Sequence, residues 1–145
     1  GLRSGTEMLP LIAGFAAACE NKLPTRQRDI AEQNRLKQLC RELVAPMDGV
    51  TLLGAQEAPH IVNLAVRGVR SQGLINALQD REVYVSAGSA CSKGHRSHVL
   101  ESMRVAPELI DGSIRVSLSD ETTEEEIRAF AAALAEAITA LRPHG

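Results

Sequence analysis

The sequence predicts an α+β fold, a small and mainly antiparallel sheet with helices packed on it, and three observations carry that prediction. Apolar residues recur at helical spacing in two long stretches, Leu36, Leu39, Cys40, Leu43, Val44 and Ile127, Phe130, Ala131, Leu134, Ile138, Leu141. Short β-rich runs at 50–53 and 61–66, with the alternation Ser113-Ile114-Arg115-Val116-Ser117-Leu118, read as strands. The order of these elements lacks the strict βαβ alternation of a doubly wound parallel sheet.

Taken in order, Pro10 suits the first turn of an Ala-rich helix through Ala18, and Pro24-Thr25 breaks it. That helix is apolar all round, which predicts burial against something, so Cys19 is expected to be an inert core thiol. Cys40, on the stripe of the second helix, is expected to be another. Pro46 and Asp48-Gly49 turn the chain into two neighbouring strands separated by a polar loop through Pro59 and His60. Ser71 is a candidate cap for a helix carrying Leu74, Ile75 and Leu78, and a strand is expected over Glu82 to Val85. Ser97 is a cap for a brief helix with Val99, Leu100 and Met103, and Pro107 to Asp111 is a further turn or short helix. Thr123 with Glu126 forms a capping box at the start of the last helix, whose acidic first turn suits the helix dipole.

The 145 residues suffice for one core that buries about two thirds of the unfolded surface. Hydrophobic residues are 44% but aromatic residues only 2%, so the core is aliphatic and a base-stacking surface is not expected. A net charge of -2 with interspersed signs gives no footprint for nucleic acid or an anionic membrane. No apolar run reaches the ~18 residues of a membrane span. Three cysteines without a CxxC pair point to reduced thiols and a cytoplasmic protein. Gly1 to Thr6 reads as the middle of a polar loop, so a larger parent chain is expected.

Two residues stand out chemically. Cys91 lies among small residues in Ser86-Ala87-Gly88-Ser89-Ala90-Cys91, and the cationic side chains of Lys93, His95 and Arg96 would favour its thiolate. An exposed, unreactive thiol is the alternative. Arg115 emerges from an alternating strand whose Ile114 and Val116 face the other side, which suits a bidentate carboxylate clamp, with a surface salt bridge as the alternative. A zinc site from Cys91, His95 and His98 lacks a fourth ligand. A phosphatase-type anion loop needs one residue more than the four between Cys91 and Arg96. Phosphate binding by Ser86-Ala87-Gly88-Ser89 lacks the lysine-serine signature and a long following helix.

With the Cys91 loop, Gly112-Ser113-Ile114-Arg115-Val116-Ser117-Leu118, Thr122-Thr123-Glu124-Glu125-Glu126-Ile127 and the opening Arg3-Ser4-Gly5-Thr6-Glu7 in view, the chain resembles the C-terminal part of the cysteine desulfurases. These are pyridoxal-phosphate enzymes of the class V aminotransferase type, with fold type I. The resemblance implies that residues 1–22 end a cofactor-binding large domain and 23–145 form the small domain carrying the cysteine loop. It also implies that Cys91 is the nucleophile that takes sulfur from L-cysteine, leaving L-alanine and an enzyme persulfide. Arg115 then binds the substrate carboxylate, and Thr6 reaches across a homodimer to the partner's cofactor phosphate. The sulfur acceptor would be an iron–sulfur cluster scaffold or a tRNA-thiolation enzyme. Gln72 stands where many relatives carry an acidic residue, and the segment from Cys91 to Ser97 is a little shorter than in scaffold-serving members, which leaves the acceptor open.

The family's Schiff-base lysine, the histidine that stacks on the pyridine ring and the aspartate facing its nitrogen lie upstream of the region matched. The isolated chain is therefore expected to be inactive, since nothing in it supplies the cofactor's electron sink. Two alternatives remain in view: a selenocysteine lyase or other class V enzyme, and a non-catalytic thiol-bearing interaction module.

Overall fold

In the computed structural model, residues 5, 7–55, 57–87 and 96–142 are described. The sequence-derived assignments to Thr6, Cys91, Lys93 and His95 lie outside them. The chain opens with α1 (Leu9–Lys22), which has Pro in its first turn, and after a break at Leu23 to Thr25 continues into α2 (Arg26–Val44). Gly49, at φ +72°, makes the turn into β1 (Val50–Leu52), and β2 (Ile61–Val66) pairs back against it with Val50 opposite Val66. Then come α3 (Ser71–Gln79), β3 (Ser86–Ala87), α4 (His98–Ser102), α5 (Pro107–Asp111), β4 (Ser113–Ser117) and α6 (Glu124–Leu141).

The four strands form one antiparallel sheet in the order β1-β2-β4-β3. Because strand side chains alternate, Val62, Leu64 and Val66 of β2 share a face with Ile114 and Val116 of β4. That face is buried under α2, α3 and α6, with Leu36, Cys40, Val44, Leu74, Leu78, Phe130 and Leu134 closing the main core. The aliphatic core expected from composition is what forms: Phe130 is its one aromatic residue. A smaller cluster of Leu53, Ala65, Leu100 and Ile110 packs α4 and α5 against the other face at its β1–β2 side. The rest of that second face is left for polar residues.

Local chemistry fixes the ends. Thr123 accepts the Glu126 N–H at 3.2 Å while the Glu126 carboxylate accepts the Thr123 N–H at 2.8 Å, so the capping box closes both ways. Ser97 caps α4 by accepting the Leu100 N–H. Gly112 joins α5 to β4 where a side chain has no room, since a Cβ there would run into the carbonyl oxygens of Val66 and Val69. Among the described residues, no helix is long and apolar enough to cross a membrane.

Four expectations are corrected. Cys19 is exposed, because α1 has no buried residue at all; Leu9, Leu11, Ile12 and Phe15 are each more than half exposed. Among the described residues, nothing buries its apolar side chains. The strand expected over Glu82 to Val85 is instead the two-residue β3 at Ser86–Ala87. The chain leaves α3 through a tight turn in which Glu82 takes φ 59° and the Val83 N–H returns to the Leu78 carbonyl, so the next residues pack without laddering. Ser71 is the first residue of α3 and Arg70 holds the cap position, without a side-chain cap bond. β1 is one residue shorter than read from sequence, ending at Leu52.

Candidate active site

Arg115 is the middle residue of β4, and the sheet register explains its position. Its chain neighbours Ile114 and Val116 are buried in the core, so the strand alternation carries Arg115 to the opposite, partly open face. It stands directly across from Asn63 on β2 and Ser86 on β3. Residues paired this way have Cβ atoms about 4.5–5.5 Å apart, so three polar side chains form a row across β2, β4 and β3. Arg115 is half-buried, and its Nε is buried with no hydrogen-bond partner among the described residues. No described carboxylate pairs with it, which disfavours the surface salt bridge as its role. A planar guanidinium set on a sheet with no anion beside it among the described residues is suited to grip a carboxylate from outside.

The strand that presents Arg115 is held firmly at its start. Ser113 is buried and donates from Oγ to the Ile110 carbonyl at 2.8 Å, and the Gly112 carbonyl accepts the Val66 N–H at 3.0 Å. On the neighbouring strand, Ala87 is paired with Ile114 and stands four residues before Cys91 in sequence. Thus the segment carrying Cys91 departs from the strand next to Arg115. It re-enters the described structure at Arg96, whose guanidinium is bound bidentately by Asp111, with Nε to Oδ1 and Nη2 to Oδ2 both at 2.7 Å. The Arg96 hydrogen bonds hold the Asp111 carboxyl below the usual carboxylate range. Arg96, one of the three cations expected to favour the Cys91 thiolate, has its charge matched by Asp111.

The buried thiol and the two described lysines are placed elsewhere. Cys40 is fully buried in the main core, and desolvation pushes its thiol up to about 11, so it is held neutral. Lys22 pairs with Asp120 on the surface. Lys37, on α2, is buried and donates to the Ala58 carbonyl at 2.7 Å; desolvation lowers its pKa. Neither lysine stands beside Arg115, and α2 covers the other face of the sheet. The described residues therefore do not by themselves make a pyridoxal-phosphate site: they place a guanidinium on the open face, but among them no lysine stands next to it. Among them, too, no group of three His, Cys, Asp or Glu residues is placed to hold a metal ion, and His98 is exposed at the start of α4.

The sequence does not single out Asn63 or Asp111, and it points to Ser86 only within the Cys91 loop motif and the phosphate-loop reading of Ser86-Ala87-Gly88-Ser89. Asn63 left a signal, a lone amide in the middle of the apolar run Ile61 to Val66. The placement of Ser86 beside Arg115 and of Asp111 beside Arg96 left none, because it comes from pairing across the fold.

The antiparallel sheet with helices packed on it belongs to the α+β class, and comparisons with known proteins agree. Residues 1–130 match the aminotransferase class-V family, and the chain belongs to that family. It is 34% identical over 149 residues to a cysteine desulfurase of Klebsiella pneumoniae, a match covering 98% of this chain and 37% of the relative. It is 32% identical over 141 residues to a NifS/IcsS protein homolog of Lactobacillus delbrueckii, covering 94% of this chain and 37% of the relative. A solved NifS-like protein superposes with a TM-score of 0.84 at 28% identity, covering 97% of this chain and 36% of that one. The chain thus spans little more than a third of the length of the curated relatives it matches. The expected class and α+β fold stand, and the family implies pyridoxal phosphate as cofactor.

Proposed function

We propose that this chain is the C-terminal, small-domain portion of a cysteine desulfurase, a pyridoxal-phosphate enzyme that converts L-cysteine to L-alanine and passes the sulfur to its own thiol as a persulfide. The observation that carries the reading is Arg115: a guanidinium fixed on the open face of the sheet, with a buried Nε lacking a partner, next to the strand that leads into Cys91. In this reading Arg115 grips the carboxylate of the amino-acid substrate and so sets which end of it faces the thiol. Cys91 follows Ala87 by four residues, at most about 14 Å of chain, and Ala87 lies on the strand next to Arg115. The cofactor, when bound, supplies the electron sink that weakens the substrate's C–S bond. The residues that hold it belong mostly to the part of the enzyme that this chain does not span, with Thr6 as this chain's contribution across a homodimer. Residues 1–22 are read as the end of the cofactor-binding domain, since α1 exposes its apolar side chains throughout. The acceptor of the sulfur is proposed to be an iron–sulfur scaffold or a tRNA-thiolation protein in the cytoplasm.

The test is to supply the complete enzyme with pyridoxal phosphate and measure L-alanine from L-cysteine, from cysteine sulfinate and from selenocysteine, in wild type and Cys91→Ala. Loss of activity on cysteine alone in the variant supports a desulfurase. Retention on all three substrates makes the thiol dispensable and favours a selenocysteine lyase or another class V activity. No turnover and no yellow cofactor spectrum leaves a non-catalytic module.

A further inference from the structure

The hydrogen bonds at the two ends of the β2–β4 pairing fix how closely Asn63 and Arg115 approach. The Leu118 N–H donates to the His60 carbonyl at 2.8 Å and the Val66 N–H to the Gly112 carbonyl at 3.0 Å, so 60 with 118 and 66 with 112 are hydrogen-bonded pairs of this register. Antiparallel pairs alternate between hydrogen-bonded and non-hydrogen-bonded, and the Asn63–Arg115 pair lies an odd number of steps from each end, which makes it non-hydrogen-bonded. Such a pair brings its Cα atoms to about 4.5 Å, with the side chains at their closest. Arg115 therefore turns its main chain toward Ser86 on β3 and has Asn63 as its nearer side-chain neighbour.

The two side chains also match in depth and chemistry. Asn63 Oδ1, an acceptor, is buried, and so is Arg115 Nε, a donor with no hydrogen-bond partner among the described residues. On its other side the Asn63 carbonyl accepts the Leu53 N–H at 2.8 Å, and the Leu53 side chain is buried and apolar. Of the two residues directly opposite Asn63, Arg115 is thus the one with a polar side chain. Out of water, a hydrogen bond from a guanidinium to an amide oxygen is strengthened. A guanidinium engaged from within through Nε keeps its Nη1–Nη2 edge for a bidentate carboxylate.

We propose that Asn63 is a positioning residue for Arg115: its amide oxygen accepts a hydrogen bond from Arg115 Nε–H when a carboxylate binds, which fixes the plane of the guanidinium and presents the Nη1–Nη2 edge to that carboxylate. The inference rests on the proposed function, through the reading of Arg115 as the carboxylate grip, but it is measured by binding without turnover.

The experiment is calorimetric titration of the complete enzyme, loaded with pyridoxal phosphate, with L-alanine and with ethylamine, which has the amine but no carboxylate. The proteins are wild type, Asn63→Leu, Asn63→Asp, Arg115→Met and the double variant Asn63→Leu with Arg115→Met, each with a thermal melt. Asn63→Leu should weaken L-alanine binding roughly fivefold or more, part of what a hydrogen bond to a charged group contributes, and leave ethylamine unchanged. In the Arg115→Met background the same substitution should cost nothing further, because the residue it positions is gone. Asn63→Asp should weaken L-alanine more than Asn63→Leu does, with a melting temperature at or above that of wild type, since its carboxylate then occupies the guanidinium from inside. On turnover, Asn63→Leu should raise KM for L-cysteine with kcat little changed. Wild-type L-alanine binding in Asn63→Leu or Asn63→Asp, equal weakening of both ligands, or the same loss in the Arg115→Met background overturns the inference. Where Asn63→Leu does not melt cooperatively, Asn63→Asp decides by the same criterion. If binding responds as stated but wild type forms no L-alanine from L-cysteine, the positioning role stands and the desulfurase reading fails; turnover with unresponsive L-alanine binding gives the converse.

Discussion

Replacing Arg115 with Met separates substrate binding from folding in a way the structure makes quantitative. Methionine keeps an unbranched apolar stem on β4 and removes only the guanidinium. Because the Arg115 Nε is buried without a partner and no described carboxylate pairs with the side chain, the substitution breaks no internal ion pair and relieves a buried, unsatisfied donor. The melting temperature is therefore expected to stay the same or rise slightly. Binding is another matter, since a hydrogen bond to a charged group contributes about 1.5–3 kcal/mol. At about 1.4 kcal/mol per factor of ten, that is a loss of roughly 12-fold to 150-fold in kcat/KM for L-cysteine. Product inhibition by L-alanine, which carries the same carboxylate, should weaken by a similar factor. The assay is steady-state alanine formation by the complete enzyme with a thermal melt on the same samples. A melting temperature lowered by several degrees in step with the activity, or an unchanged kcat/KM with a stable fold, would refute the assignment of Arg115 as the carboxylate grip.

Three other expectations concern the scaffold. Gly112→Ala places a Cβ against the Val66 carbonyl and 2.7 Å from the Val69 carbonyl, both backbone, so it should destabilise by about 3 kcal/mol or more in urea unfolding and weaken the proposed carboxylate site at Arg115, three residues further on. Leu134→Ala, at a fully buried position under the sheet, should lower stability by about 2–5 kcal/mol in the same assay without changing KM. Cys40 should resist alkylation in the native state while Cys19 reacts. The unfolded Cys40 thiol ionises near 9.0 whereas the folded one keeps its proton to about 11, so the native state holds more protons in that window and stability falls as pH rises through it. The fall amounts to roughly 3 kcal/mol. Lys37, whose buried ammonium titrates below 10.5, acts in the opposite sense, so the effect should be read as the difference between wild type and Cys40→Ala.

The parts of this molecule legible in its sequence are those set by local periodicity. Arg115 between Ile114 and Val116 could be assigned to the open face before any sheet was seen, because a strand has a period of two. Thr123 with Glu126 announced the start of α6, and Cys40 on its i, i+3, i+4 stripe was correctly buried. Periodicity does not say what an apolar face meets, and this is where the reading of Cys19 fails: α1 is apolar on every side, yet among the described residues none of its side chains is buried. The length of β3 was misread because it depends on how tightly the chain turns at Glu82, a positive-φ conformation that a glutamate does not advertise. Asn63 and Ser86 flanking Arg115 follow from register, and the Arg96–Asp111 pair joins residues 15 apart through the packing of two short helices. The chemical assignment of Cys91 came from resemblance and not from geometry.

The central claim is that sulfur from L-cysteine is taken up at Cys91. The most direct test is mass spectrometry of the Cys91 peptide after brief exposure of the complete enzyme to L-cysteine, in wild type and Cys91→Ser. The account predicts one added sulfur on the wild-type peptide and none anywhere in the variant; a persulfide that persists in Cys91→Ser would contradict it.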